Sequence, residues 1–195
     1  VPRELTHDAA LRGVDAGLHE FIERVRALDE KLGVLLFQFP PSFSAQNLDV
    51  LEETLSGLPR ELRFAVEVRH ASWYTAAEDG AEPELARRLR RYGVAWAATE
   101  YPDLPAVIYP TAPFLYIRWI GEHGSFKQHT HERLDRTAEL RRWLAQIEER
   151  GGERSVYGFF NNDYAGFAAA TANKFKEIAG LPVQPFAPPQ QPKLF

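Results

Sequence analysis

The sequence predicts an α/β fold, a partial TIM-type (β/α) barrel of about five βα units. Two observations lead there. Short apolar runs alternate with segments of helical periodicity, which argues for a parallel sheet covered by helices. Four of the runs also carry one face that turns polar toward the C-terminal end.

Residues 1–16 hold Pro2 and many charges and read as a connecting segment. Leu18, Phe21, Ile22, Val25 and Leu28 fall at helical spacing and predict a helix over 16–31, stopped by Gly33. Residues 34–39 form an apolar run ending at Pro40-Pro41, read as a buried strand. Leu48, Leu51 and Leu55 predict a helix over 45–57. Residues 63–69 read as the second strand and 82–92 as a helix, with Pro83 near its first turn. Strands follow at 94–98 and 114–119, then a helix at 135–150 closed by Gly151-Gly152. The last strand is 155–160 and the last helix 164–179. The longer loops follow the third and fourth strands.

Five units fit either an open doubly wound sheet or part of an eight-stranded barrel. Side-chain alternation separates the two. Ala65, Glu67 and Arg69 share one strand face; Phe114, Tyr116 and Arg118 share another; Tyr157, Phe159 and Asn161 a third. With Gln38, these faces converge on a polar C-terminal end. A barrel mouth has a use for that, whereas an open sheet buries both faces. The expected organisation is one barrel domain over 1–180, incomplete at its N-terminal side, and a tail over 181–195 with five prolines.

Composition narrows the function. Of 195 residues 45% are hydrophobic, an ordinary globular share. No run reaches the roughly 20 apolar residues of a membrane span, and no signal peptide is visible, so a cytoplasmic protein without a membrane partner is expected. The start at Val1 hints at processing or truncation. Cys and Met are both absent, which excludes disulfides, thiolate metal sites and a Cys nucleophile. A net charge of −4 does not suit a nucleic-acid coat. The cations are mostly Arg, which favours forked recognition of carboxylate or phosphate.

Three blocks carry a family resemblance. They are Leu32 to Phe43, Arg63 to Trp73, and Tyr157 to Asp163 followed by Gly166 and Ala172-Asn173. Together, in this order, they resemble the YecE-like family, a domain of unknown function (number seventy-two). The resemblance implies an eight-stranded TIM-type barrel of which this chain supplies strands four to eight. It implies that the first strands lie elsewhere, so a complementing N-terminal chain or an oligomeric partner is expected at the open edges. Thr99-Glu100 stands where relatives often carry Asp, a departure from the pattern. The family brings no established reaction.

Active sites of such barrels lie at the C-terminal strand ends. Glu67, His70 and Asp163 are the candidate acid, base or catalytic groups. Gln38, Arg69, Trp73, Tyr116, Arg118 and Asn161 are the candidate substrate contacts, with the arginines gripping an anion bidentately. Glu67 paired with Arg69 or Arg118 in a structural layer is the competing role. Asp163 is expected to cap the last helix. His123, His129, His131 and Glu132 read as a solvated loop rather than a metal site, and no metal or other cofactor is assigned. The expected function is an enzyme, a hydrolase or phosphate-ester-acting type, on a phosphorylated or anionic small molecule, a DNA end included. Gln191, Leu194 and Phe195 resemble the Gln-x-x-Leu-Phe peptides that bind the bacterial sliding clamp, so a non-catalytic adaptor is the alternative.

Overall fold

The computed structural model of the chain describes residues 1–76 and 82–184. Six parallel strand segments form its wall: β1 (Val34–Gln38), β2 (Arg63–Glu67), β3 (Ala95–Trp96), β4 (Ala98–Glu100), β5 (Phe114–Trp119) and β6 (Ser155–Phe160). The helices are α1 (Asp15–Arg26), α2 (Leu48–Ser56), α3 (Glu84–Tyr92), α4 (Thr137–Gly151), α5 (Asn162–Ala165) and α6 (Ala168–Ile178). The chain is thus a mixed α/β structure in which these strands pair in parallel, with one isolated antiparallel bridge between Ala76 and Pro83.

Strand order follows chain order, β1-β2-β3 and β4-β5-β6, with no reversal. The expected single strand over 94–98 is divided at Ala97. The Ala97 N–H still donates to Val66 O at 2.9 Å, while Ala98 already pairs with Ile117 of β5. The strand hands over from one neighbour to the next there, which is why it is counted as two.

Three apolar clusters show how the layers are built. On one face, Phe37, Phe64, Val66 and Trp96 pack against Leu51, Leu55, Leu85 and Leu89 of the helices. Farther along that face, Leu115, Ile117 and Trp119 pack against Leu140 and Trp143. The opposite face gathers Ala65, Ala95, Ala97, Ala112, Phe114 and Tyr116. Small alanines on the central strands leave room there for rings from β5. Each fully buried large side chain contributes about 1.5–3 kcal/mol, and Phe37, Leu89, Ile117 and Trp143 are all 2% exposed or less.

Several expected bounds shift for local reasons. The helix expected over 16–31 ends at Arg26, and Asp29 then takes a left-handed φ of 48°. The helix expected over 164–179 is two helices divided at Gly166, φ 104°. No helix follows the third strand position; residues 101–113 return to β5 as irregular chain. They are anchored by the Thr111 hydroxyl, which donates to Val94 O and accepts from Trp96 N, both at 2.7 Å. The connecting segment at the start is more ordered than its composition suggests. Glu4–Asp8 make a π-helical turn, Thr6 is buried, and the Val1 nitrogen donates to Leu36 O at 2.9 Å. Among the described residues no helix is long and apolar enough to cross a membrane.

Candidate functional site

Alternation along β1, β2 and β5 brings Gln38, Glu67 and Arg118 together at the C-terminal strand ends. Gln38 and Glu67 are register partners on β1 and β2. Glu67 is fully buried, and both carboxylate oxygens are taken. Arg69 donates through Nε to Oε1 at 2.8 Å, and Arg118 donates through Nη1 to Oε2. Arg118 Nη1 also reaches Gln38 Oε1 at 2.9 Å. Arg69 lies over the Tyr101 ring, 5.0 Å from its centroid. One carboxylate between two guanidiniums leaves a net positive charge, and the buried acid fixes the direction of both forks.

Arg118 also lines a cleft of about 350 Å³ with Phe159, Asn161 and Asn162. The two asparagines have already committed their side-chain oxygens. Asn161 Oδ1 accepts from Asp163 N at 3.1 Å, and Asn162 Oδ1 accepts from Ala168 N at 2.8 Å. Their remaining amide groups are donors only. The cleft is therefore rich in donors, which matches an anion better than a cation.

The expected site residues do not all converge. Tyr116 is buried beneath Arg118 on the same face, and burial pushes its hydroxyl pKa up. His70 is occupied as a cap: its Nδ1 accepts from Ser72 N at 3.1 Å and lies 2.8 Å from Ser72 Oγ. Trp73 is 2% exposed, stacked on Phe43 at 5.7 Å, with its Nε1 donating to Phe43 O at 2.6 Å. It is a core residue, and the expectation of a ligand-facing ring is corrected. Asp163 is not the cap of its helix; Asn161 is. Asp163 Oδ2 instead accepts from Gly124 N at 3.1 Å, with His123 Nδ1 at 3.4 Å and His129 Nε2 at 3.9 Å. It pins the loop after β5.

That loop is also held by close approach. Gly121, φ 71°, lies so near the Asp163 carbonyl that a Cβ would stand 2.4 Å from its oxygen. Among the described residues no group of three or more His, Asp or Glu is arranged to hold a metal ion. Gln191, Leu194 and Phe195 lie outside the described residues.

Two neighbours of the ion-paired layer carry no periodicity signal. Tyr101 follows β4 in an irregular segment. His7 lies in the first turn, its Nδ1 3.0 Å from Thr6 Oγ1. Its pKa is lowered, first by burial and then by Arg3 and Arg69, against the smaller opposing pull of Asp8 and Glu67.

A family model described as "Protein of unknown function DUF72" matches residues 1–194. The chain is 36% identical over 93 residues to UPF0759 protein YecE of Escherichia coli (strain K12), covering 48% of this chain and 34% of that protein. The match thus spans about a third of the length of the curated relatives. Among solved structures, a DUF72 family protein (TM1631) from Thermotoga maritima superposes with a TM-score of 0.71 at 27% identity, covering 92% of this chain and 71% of the other. Another (EF0366), from Enterococcus faecalis V583, gives 0.65 at 22% identity, covering 83% and 67%.

Proposed function

The chain belongs to the DUF72 family, and from that premise we propose that it binds a phosphorylated or otherwise anionic substrate where its strands end, at the mouth of a TIM-type barrel wall. The observation that carries this is the Arg69–Glu67–Arg118 layer, buried at its centre and bordering the donor-lined cleft.

The barrel reading rests on the consecutive strand order and on an inner face of alanines and aromatics opposite the helices. Among the described residues β1 and β6 each have one strand neighbour. Further strands, from a complementing segment or a partner copy, belong beside them in a closed barrel.

Within the site the roles divide by occupancy. Glu67, with both oxygens bonded, is a positioning residue that aims the guanidiniums. Arg118 spends Nη1 on Glu67 and Gln38 and offers Nε and Nη2 to a ligand.

The test is calorimetric titration of the chain with inorganic phosphate at low salt. Binding that weakens at least tenfold in Arg118→Ala supports the reading. Equal affinity in the variant, or no binding by the parent chain, refutes it.

A further inference from the structure

Resting on that anion site, we propose that its occupant carries a planar unsaturated ring beside the anionic group, and that Phe159 is the platform on which the ring stacks.

Phe159 is in register with Arg118 on the neighbouring strand, so both side chains leave the same face. Adjacent strands lie about 4.8 Å apart, and an anion held by Arg118 brings the atoms bonded to it over the Phe159 ring. Phe159 is 46% exposed on β6, which has one strand neighbour among the described residues and leaves Val156 on its other face 41% exposed as well. Its orientation is nevertheless fixed. Tyr116 stacks beneath it with ring centroids 4.9 Å apart and planes at 29°. The next residue shows what a packing role looks like here: Phe160 faces the other way, stacked on Trp119 at 4.2 Å and 3°. Phe159 is left out of that packing and borders the cleft with Arg118 and Asn161 instead.

The chemistry of the cleft is complementary to one class of ligand. It joins a guanidinium, two amide donors and one supported aromatic face. An anion alone leaves the ring in water; a neutral aromatic alone leaves the Nε and Nη2 donors of Arg118 without an acceptor from the ligand, although Nη1 keeps Glu67 and Gln38. An aryl phosphate, or a nucleotide with its base near the phosphate, satisfies both. A cleft of about 350 Å³ is at the lower end of the range for small-molecule sites.

Phenyl phosphate, inorganic phosphate and phenol are the probes, titrated calorimetrically against the whole chain. Phenyl phosphate should bind roughly tenfold or more tighter than inorganic phosphate, as base–aromatic stacking does elsewhere. Phe159→Ala should erase that preference, bringing phenyl phosphate to within about twofold of inorganic phosphate in the same variant, and Phe159→Tyr should retain it. Equal affinity for the two phosphates, or a preference that survives in Phe159→Ala, overturns this inference and leaves the anion site standing. Failure of both phosphates to bind overturns the anion site and this inference together. Light scattering on the same variants covers the remaining alternative. If Phe159→Ala turns a dimer into a monomer and the ring preference persists, the exposed face is a subunit contact, and the inference is overturned.

Discussion

Arg118 and Glu67 stand 51 residues apart in the chain and meet as an ion pair where β5 and β2 end. Gln38 joins them from β1, so one contact set ties three strands. Removing the buried acid leaves two guanidiniums facing each other without a counter-charge. Glu67→Ala should therefore destabilise the fold by about 3–5 kcal/mol, read from urea unfolding. A loss below about 1 kcal/mol would show that both arginines relax into solvent.

Trp73 lies in the core and not at the mouth. Its ring fills space beside Phe43, and its N–H satisfies a carbonyl that has no water to turn to. Trp73→Ala should cost about 3–5 kcal/mol in chemical denaturation. The milder Trp73→Phe should leave phosphate affinity within about twofold of the parent chain, consistent with a purely structural ring.

Gly121 permits the loop after β5 to lie against Asp163. An added methyl group would meet backbone rather than a movable side chain, and at φ 71° the backbone itself disfavours one. Gly121→Ala should destabilise by more than about 1 kcal/mol. Hydrogen exchange at Gly124 should also speed up, because its amide depends on the Asp163 carboxylate.

His7 gives stability a pH dependence of known sign. Its folded pKa lies below the ordinary 6.5, so the unfolded chain binds the proton more readily. Its contribution is present above about pH 6.5 and is lost as pH falls through the lower folded value. His7→Gln should flatten that part of the thermal stability profile between pH 5 and 7. An unchanged slope would remove His7 from the account.

The Gln191, Leu194 and Phe195 tail remains a proposal read from sequence. Deleting 191–195 should abolish binding to a bacterial sliding clamp in surface plasmon resonance while leaving the thermal midpoint unchanged. Binding that survives the deletion rules the peptide out.

Much of this architecture was legible because strands announce themselves twice, by apolar content and by alternation. Assigning Ala65, Glu67 and Arg69 to one face, and Tyr116 with Arg118 to another, led directly to the layer that the structure assembles. What alternation cannot give is depth along an irregular segment. Trp73 and His70 follow β2 in a short 3-10 turn whose direction is set by Ser72 and Phe43, not by periodicity. Tyr101 and His7 approach the layer from segments with no period at all. The capping role given to Asp163 belongs to Asn161 for a related reason: both types cap well, and the choice depended on where the strand let go of its last hydrogen bond, Asn161 N to Trp119 O.

The order of the strands also bears on how the molecule is made. Each ladder joins segments that are neighbours along the chain, and no strand must wait for one synthesised much later. Loop-closure entropy is consequently collected in modest instalments, a topology associated with relatively quick folding for a parallel sheet. Assembly can follow the ribosome, each emerging strand docking on the one before it, with the Arg118–Glu67 contact forming only when the fifth segment arrives.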